Sequence, residues 1–525
     1  MSKYDINKLT IKEKIGQVSM YGIEATEITE DTINLIKEYR VGNIILFARN
    51  VESPEQLFKL NQGLQRLAKE EFDIPMFISI DQEGGMVTRI FNGSTFFPGA
   101  MTISATNNPE NAYEMGKIMG KELKALGVNM NLAPILDVNN NPHNPVIGVR
   151  SFSDKPEVVA EYGWLYSKGM QEEGVFATAK HFPGHGDTNV DSHLGLPTIT
   201  HDRDRLDNFE FLPFKYAINQ GIEAIMSSHI NFTKLTKDGT PVTLSREVMT
   251  DLLRGEFGFE GLIVSDSMTM KGVVQRYSAE DACVIALNAG LNLICVCHPT
   301  SPRRESLDRM YEAVMSGEIS EEVLNERVLR VLKAKEKLGE INLDLTFEDV
   351  KAVAINDEHK KASYQITEDA LTLVKGRTIT LKDNALFVGY LPRALTIADD
   401  TDGTSFLGKR LNQEISNLDT KIIELSPSDE LIEKLIEEMD QYDQIILTTY
   451  SGNTQPQQIK LINEAHKLNK EIHVISMRDP YDLYYTKAIN NYVCLYEYTP
   501  NSIEVLIKYL KGEITPKGKI PIEYE

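Results

Sequence analysis

Short apolar runs alternating with amphipathic stretches fill the first 340 residues, and this rhythm limits the fold more than any single residue does. The runs are IGQVSM from Ile15, VGNIILF from Val41, IPMFISI from Ile74, VNMNLAPILDV from Val128, VFATAKHF from Val175, IEAIMSSHI from Ile222, GLIVSDS from Gly261 and LNLICVC from Leu291. Near-continuous apolar strands signal a parallel sheet buried on both faces. The stretches between them carry helical period and helix-start chemistry, as in PEQLFKLNQGLQRLAKE from Pro54, ENAYEMGKIMGKELKALG from Glu110 and PEVVAEYGWLYSKGMQEEG from Pro156. Gly127 and Gly174 follow two of them, which suits C-terminal caps. Eight such units fit a closed (β/α)8 barrel better than an open sheet.

Polar residues gather at the C-terminal ends of the runs: Asp81, Asp137, Lys180 with His181, His229 and Asp266. In a barrel those ends converge on one mouth, whereas an open sheet would spread them along an edge. The expected organisation is α/β: a TIM-barrel domain over 1–340, a linker over 341–362 where the rhythm is lost, and a second α/β sandwich domain over 363–525. Strand candidates in the latter are LTLVK, ALFVGY, KIIEL, QIILTTY, EIHVISM and NYVCLYEY, with helices DELIEKLIEEM and QPQQIKLINEAHKLNK among them.

Composition removes several function classes. The formal net charge is −22, a poor match to nucleic acid or anionic lipid, whose binding needs clustered Lys and Arg. No nucleotide fingerprint is present, neither a GxGxxG after a strand nor a GxxxxGK[ST]. The four cysteines, Cys283, Cys295, Cys297 and Cys494, form no CxxC pair or disulfide framework. The start MSKYDINKLTIKEKIG lacks a basic segment followed by an apolar one, and no apolar span of about 20 residues follows. The expectation is a cytoplasmic protein with no membrane insertion.

The densest chemistry lies in AKHFPGHGDTNVDSHLGLP, from Ala179 to Pro197. A solvated Gly-rich loop is one reading. A metal site built from His181, His185, Asp187, Asp191 and His193 is a second, although Pro183, Gly184 and Gly186 interrupt the helix that a His pair of this spacing favours. Acid–base chemistry is the third. Asp191 and His193 stand two apart, so in an extended loop they share a side. The carboxylate then accepts from one imidazole nitrogen, leaves the other for proton exchange, and raises the imidazole pKa. Asp266 ends the run LIVS, where a carboxylate is costly unless paired or functional; a helix cap is the bland alternative. Asp81 ends another run, before the tight turn of Gly84 and Gly85 and then Arg89.

With these motifs in place the chain resembles glycoside hydrolase family 3, and within it the bacterial β-N-acetylhexosaminidase branch acting on muropeptides. The residues that carry the resemblance are IDQEGG at Ile80–Gly85, NLAPILDV at Asn131–Val138, IGVRSF at Ile147–Phe152, KHFPGHGDT at Lys180–Thr188, DSH at Asp191–His193 and SDSM at Ser265–Met268. The second domain matches through DPYDL from Asp479 and the ending GEITPKGKIPI. The resemblance implies that Asp266 is a nucleophile forming a glycosyl-enzyme and that His193, paired with Asp191, is the acid/base. Most retaining glycosidases use two carboxylates instead. It implies that Asp81, Arg89, Arg150, Lys180 and His181 hold the sugar, with the Arg and Lys also keeping Asp266 ionised. Met86 stands where many relatives carry a basic residue. A retaining exo-β-N-acetylglucosaminidase acting on cell-wall fragments or chitooligosaccharides, without metal or organic cofactor, is the expected function. Its alternatives are a phosphorylase on the same scaffold, a non-catalytic sugar-binding protein and a metal-dependent hydrolase.

Overall fold

The computed structural model describes residues 3–298, 300–394, 399, 406–486 and 488–524. Eight parallel strands close a barrel: β1 (Ser19–Gly22), β2 (Asn43–Leu46), β3 (Phe77–Ile80), β4 (Met130–Asn131), β5 (Phe176–Phe182), β6 (Ala224–Ser227), β7 (Leu262–Ser267) and β8 (Leu293–Val296). They follow each other around the ring in chain order, β8 closing on β1. Each apolar run supplies one strand. Every residue of these strands is buried except Asp266, which is half-buried near the end of β7. A strand buried on both faces has no place for a carboxylate unless something outside the packing requires it.

The helices form where the sequence opens them. Ser53 caps Pro54–Phe72 by accepting from the Gln56 N–H at 3.2 Å, with Pro54 at the first position. Gly127 and Gly174 have φ of +81° and +82°, the left-handed conformation that ends a helix cheaply only for glycine. The fourth run makes only a two-residue strand, because Pro134 has no N–H for the ladder. The Asn131 side chain covers the gap: its amide donates to Gln82 O at 2.8 Å and accepts from Gln82 N–H at 3.0 Å. Beyond the proline, Ile135 rejoins through a bridge to Lys180.

The segment after the barrel is helical rather than irregular. Helix Phe347–Ala354 packs Phe347 on Phe58 of the barrel's outer layer, ring centroids 6.0 Å apart, and helix Asp357–Ala370 runs on into the second unit. The second unit is a six-stranded sheet, ordered β9 (Thr372–Lys375), β14 (Tyr492–Cys494), β13 (Glu471–Ser476), β12 (Gln444–Thr449), β10 (Ala385–Tyr390) and β11 (Leu418–Ile423). Only β9 runs antiparallel to its neighbour. Alternate residues feed two cores, one per face: Leu386 and Leu447 on one side, Phe387 and Ile446 on the other. The first of these cores also takes in Met86, Met101, Ala105 and Val149 from the barrel. Among the described residues no helix is long and apolar enough to cross a membrane.

Candidate active site

The C-terminal ends of the barrel strands open into a cavity of about 480 Å³. Asp81, Arg89, Arg150, Lys180, His181, His193 and Asp266 line it, so these predicted site residues, from five different strands or loops, meet in one place. Asp191 stands directly behind His193. Its Oδ1 accepts from the His193 backbone N–H at 2.9 Å and lies 2.7 Å from Nδ1 of the ring. With Nδ1 committed to the carboxylate, Nε2 is left for proton exchange. Burial works against the His193 imidazolium, but the bond to Asp191, the charge of Asp266 and the charge of Asp191 outweigh it, and the pKa is raised above the usual imidazole value.

Asp266 has the opposite shift. Burial alone would push its pKa up. His229, His181, His193 and the Ser267 N–H, which donates to Oδ1 at 2.7 Å, instead hold it below the usual carboxylate range. The expectation that Arg and Lys side chains keep Asp266 ionised needs correcting. Lys180 Nζ lies 2.7 Å from Asp81 Oδ1 and 2.7 Å from Glu83 Oε1. Arg150 grips Glu83 with two parallel bonds of 2.9 Å. Both cations are already neutralised by carboxylates, so the imidazoles and one backbone dipole do the work.

Glu83 is the residue that sequence reasoning missed. It is buried, with its pKa held far below the ordinary value: burial opposes ionisation, and Arg150 and Lys180 overcome it. A planar carboxylate facing a planar guanidinium is a directional clamp. Asp81, with Lys180 at 2.7 Å and Arg89 at 3.7 Å, completes a five-membered network on the β3–β5 side of the mouth. The only signal in the sequence was a second acid two residues after Asp81, inside IDQEGG.

His181, at the cavity wall, and His185 behind it share one buried carboxylate. Asp137, wholly buried at the end of the fourth run, lies 2.7 Å from His181 Nδ1 and accepts from the His181 and His185 N–H groups at 3.1 and 2.6 Å. Burial would raise its pKa, but the two histidines lower it. Both ring nitrogens of His185 are engaged, Nδ1 with Thr188 Oγ1 at 2.8 Å and Nε2 with Ser192 Oγ at 2.9 Å. His185, brought down to about 4 mainly by burial, is therefore neutral and ties the Asp191–His193 loop down through Ser192. Ser192 is held again through its carbonyl, which accepts from Gly272 N–H at 3.1 Å. His229 sits beneath Asp266, with Nε2 3.0 Å from Ser267 O and Nδ1 3.0 Å from Thr243 Oγ1.

The five residues of the metal reading do not converge as a ligand set. His181 is engaged with Asp137, His185 with Thr188 and Ser192, Asp187 with His201 at 2.6 Å, and Asp191 with His193. Asp187, His201 and Glu210 do come within 4.8 Å of one another, but Arg205 already pairs with Glu210 at 3.1 Å. The cavity wall also includes groups not anticipated from sequence. Phe47 and His298 stack with centroids 6.1 Å apart, Arg49 lies over the Phe47 ring at 4.4 Å, and Lys271 stands at the rim.

Known proteins share this arrangement of chain and fold. The beta-hexosaminidase A of Pseudoalteromonas piscicida is 36% identical over 386 residues, 69% of this chain and 64% of that relative's length. A beta-hexosaminidase of Alkalilimnicola ehrlichii is 34% identical over 287 residues, 53% of this chain and 80% of its own. A glycoside hydrolase family 3 beta-N-acetylglucosaminidase from Paenibacillus sp. str. FPU-7 superposes with a TM-score of 0.91 at 38% identity, covering 98% of this chain and 99% of that one. The sequence profile of the glycosyl hydrolase family 3 N-terminal domain matches residues 10–334, the whole of the barrel, and the chain belongs to that family.

Proposed function

We propose that this protein is a retaining exo-β-N-acetylglucosaminidase. The observation that carries the reading is the cavity shared by Asp266, an ionised and half-buried carboxylate, and His193, an imidazole whose free Nε2 is backed by Asp191. A terminal β-linked GlcNAc enters the mouth and is held by the Asp81, Glu83, Arg89, Arg150 and Lys180 network with His181. Asp accepts from sugar hydroxyls, and the cations donate to oxygen. Protonated His193 donates from Nε2 to the departing oxygen while Asp266 attacks C1 through an oxocarbenium-like transition state. The resulting neutral imidazole keeps its Nδ1 proton on Asp191 and uses Nε2 to take a proton from water. The water then opens the glycosyl ester with net retention. None of these steps needs a metal or organic cofactor.

The names of the hexosaminidase relatives and of the Paenibacillus enzyme support the N-acetyl sugar, and cell-wall fragments bearing GlcNAc-β-1,4-MurNAc are the proposed substrates, inside the cell, with chitooligosaccharides second. The test is product analysis on GlcNAc-MurNAc-peptide and on chitobiose in phosphate buffer. Free β-GlcNAc as first product is the expected result. GlcNAc-1-phosphate would make the protein a phosphorylase, and an inverted anomer would remove the covalent step.

A further inference from the structure

The motif DPYDL, which the chemistry above leaves unused, begins on the second domain at the C-terminal end of β13 and faces the barrel. Asp479 and the turn Pro480–Tyr484 meet the barrel segment Asn139–Arg150, whose last residue is the guanidinium that clamps Glu83. Tyr481, buried, donates from its hydroxyl to Asn139 O at 3.2 Å. Asn139 uses its side-chain Oδ1 to accept the Gly148 N–H at 3.1 Å. Gly148 has φ of +47°, which glycine adopts without strain, and a Cβ there would stand 2.6 Å from Asp479 Oδ1, so the carboxylate and the turn are fitted closely against each other. Asp479 is itself fixed from the other side by the Ser451 hydroxyl. Asn453 Nδ2 donates to Pro142 O at 2.6 Å, and the Tyr485 hydroxyl lies 2.9 Å from His143 Nε2. Val149, between Gly148 and Arg150, is buried in the second domain's core.

We propose that Tyr481 and Asp479 are positioning residues for Arg150: the second domain holds the Asn139–Arg150 segment so that the guanidinium meets Glu83 in register. The inference rests on the reading of the Glu83 network as the sugar-holding side of the site. Its physical basis is the length of the segment. It carries no helix or strand until the single turn Gly148–Arg150; within it Arg150 Nη1 donates to Val146 O at 2.9 Å, and Asn144 ties it to the carbonyls of His185 and Gly186 at 2.8 and 3.0 Å, so where Arg150 points depends on where the segment as a whole is held. A bidentate clamp tolerates little misplacement, because both bonds weaken when one plane tilts. A contact serving only to glue two domains would need no alignment with that turn.

The experiment uses the full chain with Tyr481→Phe and Asp479→Asn, alone and combined with Arg150→Met, on 4-nitrophenyl β-N-acetylglucosaminide. Tyr481→Phe is expected to lower kcat/KM about 3- to 10-fold, the size of one lost hydrogen bond, and Asp479→Asn, which keeps an acceptor for Ser451, by a smaller factor of about 2 to 3. KM should take the larger share of the loss, and the melting temperature should stay within about 2 °C of wild type. On the Arg150→Met background the same changes should cost less than about 2-fold more, because residues acting through one group are not additive. An unchanged kcat/KM in Tyr481→Phe, or a loss that adds in full to that of Arg150→Met, would overturn the inference. If the wild type turns over no such glycoside, the reading of the site falls instead. Amide hydrogen exchange over 139–150 then decides this proposal separately: faster exchange in Tyr481→Phe supports it, and unchanged exchange overturns it.

Discussion

Lys180 and Glu83 are almost wholly buried and paired on every side, whereas His193 is reached through a loop whose neighbours Val190 and Leu194 are 43% and 59% exposed. The β3–β5 side of the mouth is built from charges that neutralise one another before any ligand arrives. Its carboxylates and cations hold fixed positions because moving one leaves another buried and unpaired. The other side carries one titrating ring on a segment tethered mainly through Ser192. The difference matches the two tasks that the proposed mechanism sets. Holding a sugar requires donors and acceptors that do not rearrange, while an acid that becomes a base must serve a leaving oxygen first and a water afterwards.

The comparison breaks most visibly at Asp266, which lines the cavity that both sides share. Asp266→Asn should lower turnover by on the order of 10³-fold or more, because the amide cannot form the glycosyl ester. Steady-state kinetics with an aryl glycoside measure this, and near wild-type turnover would remove the nucleophile from the mechanism. Next is His193→Ala, expected to cost about 10²- to 10³-fold on chitobiose and far less on 4-nitrophenyl glycosides in the first step, since a good leaving group needs no acid. Equal losses on both substrates would contradict the acid role.

Glu83→Gln tests the fixed side. It keeps the shape and leaves Lys180 its bond to Asp81 but strands Arg150, so it should cost about 3–5 kcal/mol of stability by denaturant unfolding, together with a rise in KM. Asp191→Asn tests the loop side through pH. The raised His193 pKa keeps the acid form present above the usual imidazole range, so kcat/KM should fall only as pH rises through that raised value. Without the carboxylate the alkaline limb should move to lower pH, while the acid limb, set by the lowered Asp266, stays in place. The smallest effect expected is that of Ser192→Ala, about 3-fold in kcat, as the loop loses one bond to His185.

The barrel was legible because burial on both faces leaves little choice of residue, so each strand announces itself as an apolar run. The candidate site was legible where a polar residue interrupts such a run, as Asp266 and Asp81 do, and both line the cavity. Glu83 was not, because its role depends on Lys180 and Arg150, which are distant in sequence and meet it only after the barrel closes. The same neutralisation explains why the support of Asp266 was assigned to the wrong cations. In the second domain, KIIEL marks a strand that starts earlier, at Leu418, since a partly exposed edge strand lacks the continuous apolar signal. The pairing direction of β9 is a tertiary outcome that no local pattern encodes.

Met86 presents a thioether whose sulfur lies 3.4 Å from the Tyr498 backbone nitrogen, and with Met101, Ala105 and Val149 it gives the barrel an oily flank. A fragment cut after residue 340 would expose that flank to solvent. Such a truncation should bind a hydrophobic dye and precipitate, unlike a barrel evolved to stand by itself. The second domain is thus a cover for the barrel as well as its neighbour, and a barrel cut free of it would keep the site residues without the packing that shields Met86 and Val149 from water.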